Sequence, residues 1–442
     1  MSDNQSINEP INQSVPSDPS DQSDPINKPN IKLNTLNKLS VEQRVSLVRS
    51  IGEEIIGDTN LEKLIANKPN IVAYDGFEPS SLDKGMHIAQ GLLRAHNVNK
   101  FVKAGIKFKF WVADWFALMN LKLGGDLKKI QQAGRDMINS WKACGMDLDA
   151  VDSEGKPMVE FIWSSEEIVK RSDEYWRLVL DIATKFPLNR IKKCTQIMGR
   201  KDEENNAGIL LELNDEINKI FADIEEENYM QHIPRKEYIL YLLKKLTESA
   251  PQELAASQIF YPVMQCADVF FLGCDITSLG MDQRKVNMLA LEYCDKIKRK
   301  LKPIIISHHM LMGLDGSDKM SKSNPDNTIF MNDTPIEVKR KINKAFCEPG
   351  NIDKNPLIDW IQYLVLELSG SIHIITTVLD ETYNIAYTDI EQIKNKFANN
   401  VIHPKDLKIA VIQSLVELML PVQERLKKSV SEASRNNKSN NI

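Results

Sequence analysis

Lys319-Met320-Ser321-Lys322-Ser323 sets two lysines and two serine hydroxyls side by side, in a polar stretch that follows Gly313-Leu-Asp-Gly316. Lysine is a point charge on a long stem, so such a loop suits polyphosphate charge and a departing pyrophosphate. A basic surface loop is the plainer alternative. Gly85-Met-His87-Ile-Ala89-Gln90 stands at the mouth of a helix, directly after a strand and a turn. Unpaired N–H groups and the positive end of the helix dipole favour phosphate there. His87 can donate to a phosphate oxygen, and Gln90 adds a donor one turn on. Taken alone, that segment also fits a surface histidine near a helix start.

Tyr261-Pro-Val-Met-Gln265-Cys-Ala-Asp268 places Tyr261, Gln265 and Asp268 on one helix face, with apolar residues packing behind. A carboxylate and an amide on a buried face need partners. A polar face touching solvent is the alternative, and Phe270-Phe-Leu272 immediately afterwards argues against it.

The elements that must position these groups alternate. Ser40 and Gln43 form a capping box, followed by Val41, Val45, Val48 and Ile55 at helical spacing. Strands are expected at Ile71 to Tyr74, Lys107 to Ala113, Val159 to Trp163 and Lys302 to Ser307, with helices between them. That rhythm implies an α/β fold: a Rossmann-like parallel sheet with ligands at its carboxyl ends. After about residue 333 the strands are expected to stop, leaving an all-α domain through Ile361 to Leu368 and Leu407 to Leu420. The expected organisation is a disordered polar tail over 1–38, a catalytic domain over 39–332, a helical domain over 333–430 and a polar tail over 431–442. A charged insertion at 201–250 breaks the catalytic domain.

The chain has 442 residues, enough for two globular units, with ordinary hydrophobic (42%) and charged (26%) content. It shows no apolar run long enough for a membrane span and no secretory or mitochondrial leader pattern. Six scattered cysteines without a C-x-x-C pair read as reduced thiols and not as a zinc site or disulfides. The net charge of −5 does not exclude an RNA partner, because binding follows local potential. Two basic clusters, Lys296 to Lys302 and Lys339 to Lys344, read alone as solvated helix faces.

With these motifs the chain resembles the class I aminoacyl-tRNA synthetases, whose hallmarks are His-Ile-Gly-His and Lys-Met-Ser-Lys-Ser. The Tyr261–Asp268 helix looks like the tyrosine-recognition helix of tyrosyl-tRNA synthetases of the archaeal and eukaryotic branch. The likeness runs from about residue 70 to about 425 and includes Tyr74-Asp-Gly-Phe-Glu-Pro-Ser80, Val112-Ala-Asp114, Gly280-Met-Asp-Gln-Arg-Lys285, Lys344-Ala-Phe-Cys-Glu-Pro-Gly350 and His403-Pro-Lys-Asp-Leu-Lys408.

The resemblance implies roles. Tyr74 and Asp268 would hold the phenol of a tyrosine substrate, and Tyr261, Gln265 and Gln283 its amino group and ring edge. Gly76, Gly280 and Asp282 would meet ATP or the adenylate. His87, Gln90, Lys319 and Lys322 would act on the phosphates, with Met320, Ser321 and Ser323 lining the same loop. Cys347, His403 and Asp406 would read the anticodon of tRNA(Tyr), Asp406 taking its first base, a guanine. ATP enters as a substrate accompanied by Mg2+, with no tightly bound cofactor and no dedicated metal site. A cytoplasmic homodimer without membrane attachment is implied as well.

Ala89 and Gln90 depart from the glycine and second histidine of the first motif, and Phe116 stands where many relatives have histidine. Three rival readings are a tryptophanyl-tRNA synthetase, a small-molecule nucleotidyltransferase, and a synthetase-like RNA-binding scaffold that has lost activation. The first has no phenol to offer Asp268. The second has no need of His403 and Asp406, and the third no need to keep His87, Lys319, Lys322, Tyr74 and Asp268 together.

Overall fold

The computed structural model describes residues 39–80, 83, 85–195, 240, 255–320, 324–378 and 381–439. The amino-terminal segment 1–38, nearly all of the 201–250 insertion, and Ser321, Lys322 and Ser323 lie outside the described residues.

A six-stranded sheet forms the centre. In chain order its strands are β1 (Glu54–Ile56), β2 (Val72–Phe77), β3 (Lys107–Val112), β4 (Val159–Trp163), β5 (Ile276–Gly280) and β6 (Ile304–His308). Their spatial order is β1-β6-β5-β2-β3-β4. All pairings are parallel except β1 with β6 at the edge. The chain proceeds outward from β2 to β4, then returns to build β5 and β6 on the other side of β2. The strand order therefore reverses between β2 and β5, which is where ligands bind in open α/β sheets. Pairing between those two strands ends at Tyr74 with Thr277, so a crevice opens beyond it.

Buried apolar residues cover both faces. One core holds Ala73, Phe77, Phe108, Phe110 and Ile306 beneath the Arg94–Lys103 and Leu127–Ala143 helices. The other holds Tyr74, Trp111 and Leu279 with the Ser172–Lys185 and Ala256–Phe271 helices. Asp114, fully buried after β3, ties this end of the sheet together: it accepts from Ser164 Oγ at 2.6 Å and from the Ser165 amide at 2.9 Å, just beyond β4.

Four features differ from those expected from the sequence. Ile55 lies in β1 and not on the first helix, which is capped by Ser40 and ends at Arg49. Strand β5 was not anticipated, because Thr277 and Ser278 interrupt its apolar run although both are buried. Strands also continue past 333. The helical carboxyl-terminal domain carries a hairpin of β7 (Ile372–Val378) and β8 (Glu381–Tyr387). The last helix runs Pro404–Ser439, into the stretch expected to be a polar tail. Among the described residues no helix is long and apolar enough to cross a membrane.

Candidate active site

A cleft of about 460 Å³ opens at the carboxyl ends of β2, β5 and β6. Successive side chains of a strand point to opposite faces. Tyr74 therefore packs toward the Ala256–Phe271 helix, while Asp75 turns to the other face and pairs with Arg94. Gly76 leaves the strand edge between them open, since a Cβ there would stand 3.1 Å from Tyr74 Oη. The cleft thus has two halves meeting at the crevice.

The first half is deep and nearly dry. Tyr74 and Asp268 are each 1% exposed. Burial pushes the Asp268 carboxyl well above the usual range, opposed by the hydrogen bond from Tyr175. Burial, with Asp268 nearby, likewise raises the Tyr74 phenol. Tyr175 Oη donates to Asp268 Oδ1 at 2.9 Å, while Asp268 Oδ2 has no partner among the described residues. Gln265 Nε2 donates to Gln283 Oε1 at 3.1 Å, and Gln265 Oε1 is left without a partner. Buried acceptors left open are costly unless a ligand meets them. Tyr261 closes the wall with its ring edge-on to Phe116, centroids 4.9 Å apart. Its hydroxyl is raised by burial and by the neighbouring Glu78.

The second half is wider and polar. Residues Ala89–Leu93 form a single π-helical turn leading into the Arg94–Lys103 helix, a distortion common at functional sites. Trp141 Nε1 donates to the Gln90 carbonyl at 2.6 Å, and Arg94 lies over the Trp141 ring at 5.4 Å. His87 Nδ1 accepts from the Gln90 amide at 3.2 Å. His87 also bridges to Phe330 across two short extended segments. Opposite, Lys319 Nζ stands 3.1 Å from Asp282 Oδ2. Gly280 is pinned: a Cβ would lie 2.6 Å from Met310 Sδ and 2.8 Å from Asp282 Oδ1. Asp75 is raised to about 6 by burial, which outweighs its Arg94 partner. His308 is held down to about 4 by burial and by Arg94, so it is neutral at pH 7.

Comparison with known proteins identifies the family. The family model described as class I tRNA synthetases (W and Y) matches residues 66–213 and 206–419. The chain is 44% identical over 390 residues to the cytoplasmic tyrosine–tRNA ligase 1 of Arabidopsis thaliana, covering 88% of this chain and 85% of that one. It is 32% identical over 421 residues to the tyrosine–tRNA ligase of Thermococcus sibiricus, covering 88% and 96%. The chain belongs to the tyrosyl-tRNA synthetase family. Among solved structures, Leishmania major tyrosyl-tRNA synthetase in complex with tyrosinol superposes with a TM-score of 0.70 at 40% identity. That match covers 91% of this chain and 66% of the Leishmania chain. The Pyrococcus horikoshii tyrosyl-tRNA synthetase complexed with L-tyrosine gives 0.68 at 29% identity, covering 88% and 97%.

Of the residues expected for tyrosyl-tRNA synthetase chemistry, Tyr74, Tyr261, Gln265, Asp268 and Gln283 line one half of the cleft. Gly76, His87, Gln90, Gly280, Asp282, Lys319 and Met320 line the rest. Ser321, Lys322 and Ser323 fall outside the described residues. The three expected anticodon residues lie apart from the cleft, in the carboxyl-terminal domain. Cys347 is partly buried and near Asn355, whose Nδ2 is 3.7 Å from its Sγ. His403 is exposed, and its carbonyl accepts from the Asp406 amide at 2.9 Å at the start of the last helix. Lys408 reaches back to the Asn343 carbonyl at 2.8 Å.

Sequence reasoning missed Tyr175, Glu78 and the Asp75–Arg94 pair. Tyr175 sits in an amphipathic helix 93 positions before Asp268, where nothing local marks it. Asp75 did carry a signal, as a charge in the middle of a buried strand.

Proposed function

We propose that this cleft activates tyrosine with ATP and then delivers the tyrosyl group to the 3′ end of tRNA(Tyr). The supporting observation is the juxtaposition in one crevice of a buried Tyr74–Asp268 pair with an open acceptor and a polar rim carrying His87 and Lys319. Tyrosine enters the deep half, its hydroxyl meeting Tyr74 and Asp268 and its ammonium meeting Gln265 and Gln283. Phenylalanine leaves those groups unpaired, and tyrosyl-tRNA synthetase is itself the standard illustration of such rejection.

The carboxylate of bound tyrosine is ionised at neutral pH, so its attack on the α-phosphorus of ATP needs no general base. Position and charge do the work. Gly76 lets the carboxylate pass the strand edge. Gly280 and Asp282 take the ribose. His87 and Gln90 donate to phosphate oxygens, Lys319 leaves Asp282 to meet the departing pyrophosphate, and Lys322 is assigned to the same charge by its motif. Magnesium enters with ATP and supplies charge neutralisation on its phosphates. Among the described residues no group of three or more His, Cys, Asp or Glu side chains could hold a metal ion.

In the second step the terminal ribose hydroxyl of the tRNA attacks the activated carbonyl and AMP leaves. Asp406 suits a guanine in the anticodon, because a carboxylate accepts from the N1–H and N2–H donors of its Watson–Crick edge. His403 and Cys347 are assigned to the same recognition. Cytoplasmic residence follows the Arabidopsis relative, named cytoplasmic. Homodimerisation accounts for Val169, Trp176 and Leu180, which are 63%, 39% and 62% exposed on adjoining helices.

Charging of total tRNA with labelled tyrosine tests the proposal. The protein should charge one tRNA species, and Asp406→Ala should weaken charging while sparing tyrosine activation. Activation without charging of any tRNA would refute the second half.

A further inference from the structure

The segment that follows β6 crosses the nucleotide half of the cleft, yet its fixings lie elsewhere. His308, His309, Met310 and Leu311 line the cleft, and the Met320 amide donates to the Leu311 carbonyl at 3.1 Å beside Lys319. The residues that hold this segment belong to the Pro356–Trp360 helix of the carboxyl-terminal domain and the turn after it. Asp359, 9% exposed, spans the segment with both carboxylate oxygens. Its Oδ1 lies 2.6 Å from His309 Nε2, and its Oδ2 accepts from the Met312 amide at 2.9 Å. Trp360 Nε1 donates to the Met312 carbonyl at 2.8 Å. His309 stacks on Tyr363 with centroids 3.7 Å apart, and its Nδ1 is 3.2 Å from Glu53. Two residues on, the Phe346 amide donates to the Leu314 carbonyl at 2.8 Å.

We infer that Asp359, with Trp360, is a positioning residue for tyrosine activation: from the carboxyl-terminal domain it sets Met310–Leu311, and through Leu311 the Lys319–Met320 backbone, against the nucleotide. The inference rests on the proposed activation chemistry of the cleft. It makes the carboxyl-terminal domain part of the first step as well as the second.

The chemistry of Asp359 is specific. A carboxylate offers only acceptors, and both of its contacts here are donors once the His309 ring carries its proton on Nε2. Asparagine keeps the shape but has one acceptor oxygen. With that oxygen on the Met312 N–H, its amide nitrogen faces His309 Nε2, and the contact survives only if the ring proton moves to Nδ1 beside Glu53, which resets the ring the segment depends on. Neither Asp359 nor Trp360 lines the cleft, so any effect on ATP passes through the segment they hold.

The test is pyrophosphate exchange with full-length protein, wild type against Asp359→Asn and Trp360→Phe. Each variant should raise the KM for ATP on the order of tenfold, as expected for losing one hydrogen bond to a charged or buried partner. The KM for tyrosine should stay within about twofold, because Tyr74 and Asp268 stand on the other face of the sheet. Unchanged ATP parameters in both variants would overturn the inference. So would a parallel rise in both KM values with a fall in Tm, the mark of a merely structural role. Trp360→Phe keeps an aromatic ring while removing the N–H, and decides the matter where Asp359→Asn does not fold. Wild-type protein that performs no exchange would instead defeat the reading of the cleft on which the inference stands.

Discussion

Tyr175 donates its phenolic hydroxyl to Asp268 Oδ1 across 2.9 Å, in a region where both residues are almost wholly buried. The bond fixes the carboxylate so that Oδ2 alone is left to a ligand. On the proposed reading of the cleft, Tyr175 acts on tyrosine recognition without touching the substrate. Tyr175→Phe should raise the KM for tyrosine on the order of tenfold and leave that for ATP unchanged, the scale of one buried hydrogen bond. Steady-state exchange kinetics will show it, and equal tyrosine KM values in variant and wild type would contradict the role.

Lys319 is held by Asp282 at 3.1 Å, with both groups part-exposed at the rim. The lysine is proposed to act on charge that develops only as pyrophosphate leaves. Lys319→Ala should therefore lower kcat for exchange on the order of a hundredfold with little change in the tyrosine KM, as when one oxyanion-stabilising donor is removed. A loss confined to KM would mean that the lysine only binds.

Lys341 and Asp333 form a buried ion pair at 2.6 Å, their side chains 5% and 9% exposed. Asp333 Oδ2 also accepts from the Phe330 amide at 2.9 Å, next to the bridge with His87. Lys341→Met should cost about 3–5 kcal/mol of stability, because it strands a buried carboxylate. Urea unfolding measures it, and a cost below about 1 kcal/mol would show that solvent reaches Asp333.

Glu367 joins the helical domain to the Arg94–Lys103 helix through His96 and Lys100, which hold its carboxyl down to about 2 against the opposing effect of burial. The folded state thus prefers the ionised form. The resulting stability is fully present above the unfolded value of 4.5 and is lost as pH falls from there through about 2. Glu367→Gln should destabilise the protein at pH 7 by on the order of 1 kcal/mol, since the group is part-exposed. The variant and wild-type unfolding curves should converge as pH approaches 2, and a difference that does not change with pH would refute the assignment.

Local chemistry was legible in the sequence wherever it was carried by neighbours in the chain. The Tyr261–Asp268 face, the helix entrance at His87 and strands β3 and β4 needed only spacing and apolar runs. Strand β5 was hidden because Thr277 and Ser278 look exposed until the folded sheet buries them. The β7–β8 hairpin did carry a signal, in β-branched residues around Ile374 to Thr377, which the expectation of a purely helical domain overrode. The partners of the site were not legible. Tyr175 meets Asp268 because two helices far apart in sequence pack together, and Asp359 meets His309 because a carboxyl-terminal helix packs against the segment after β6. The π-helical turn at Ala89–Leu93 is likewise set by tertiary contacts, with Trp141 taking up the Gln90 carbonyl.

The Tyr74–Asp268 half of the cleft is proposed to select tyrosine for activation. Pyrophosphate exchange into ATP, run separately with tyrosine, tryptophan and phenylalanine on the purified full-length protein, tests it most directly. Exchange should occur with tyrosine alone, and Asp268→Asn should abolish that preference. Exchange driven by tryptophan, or no exchange with any of the three by folded protein, would contradict the account.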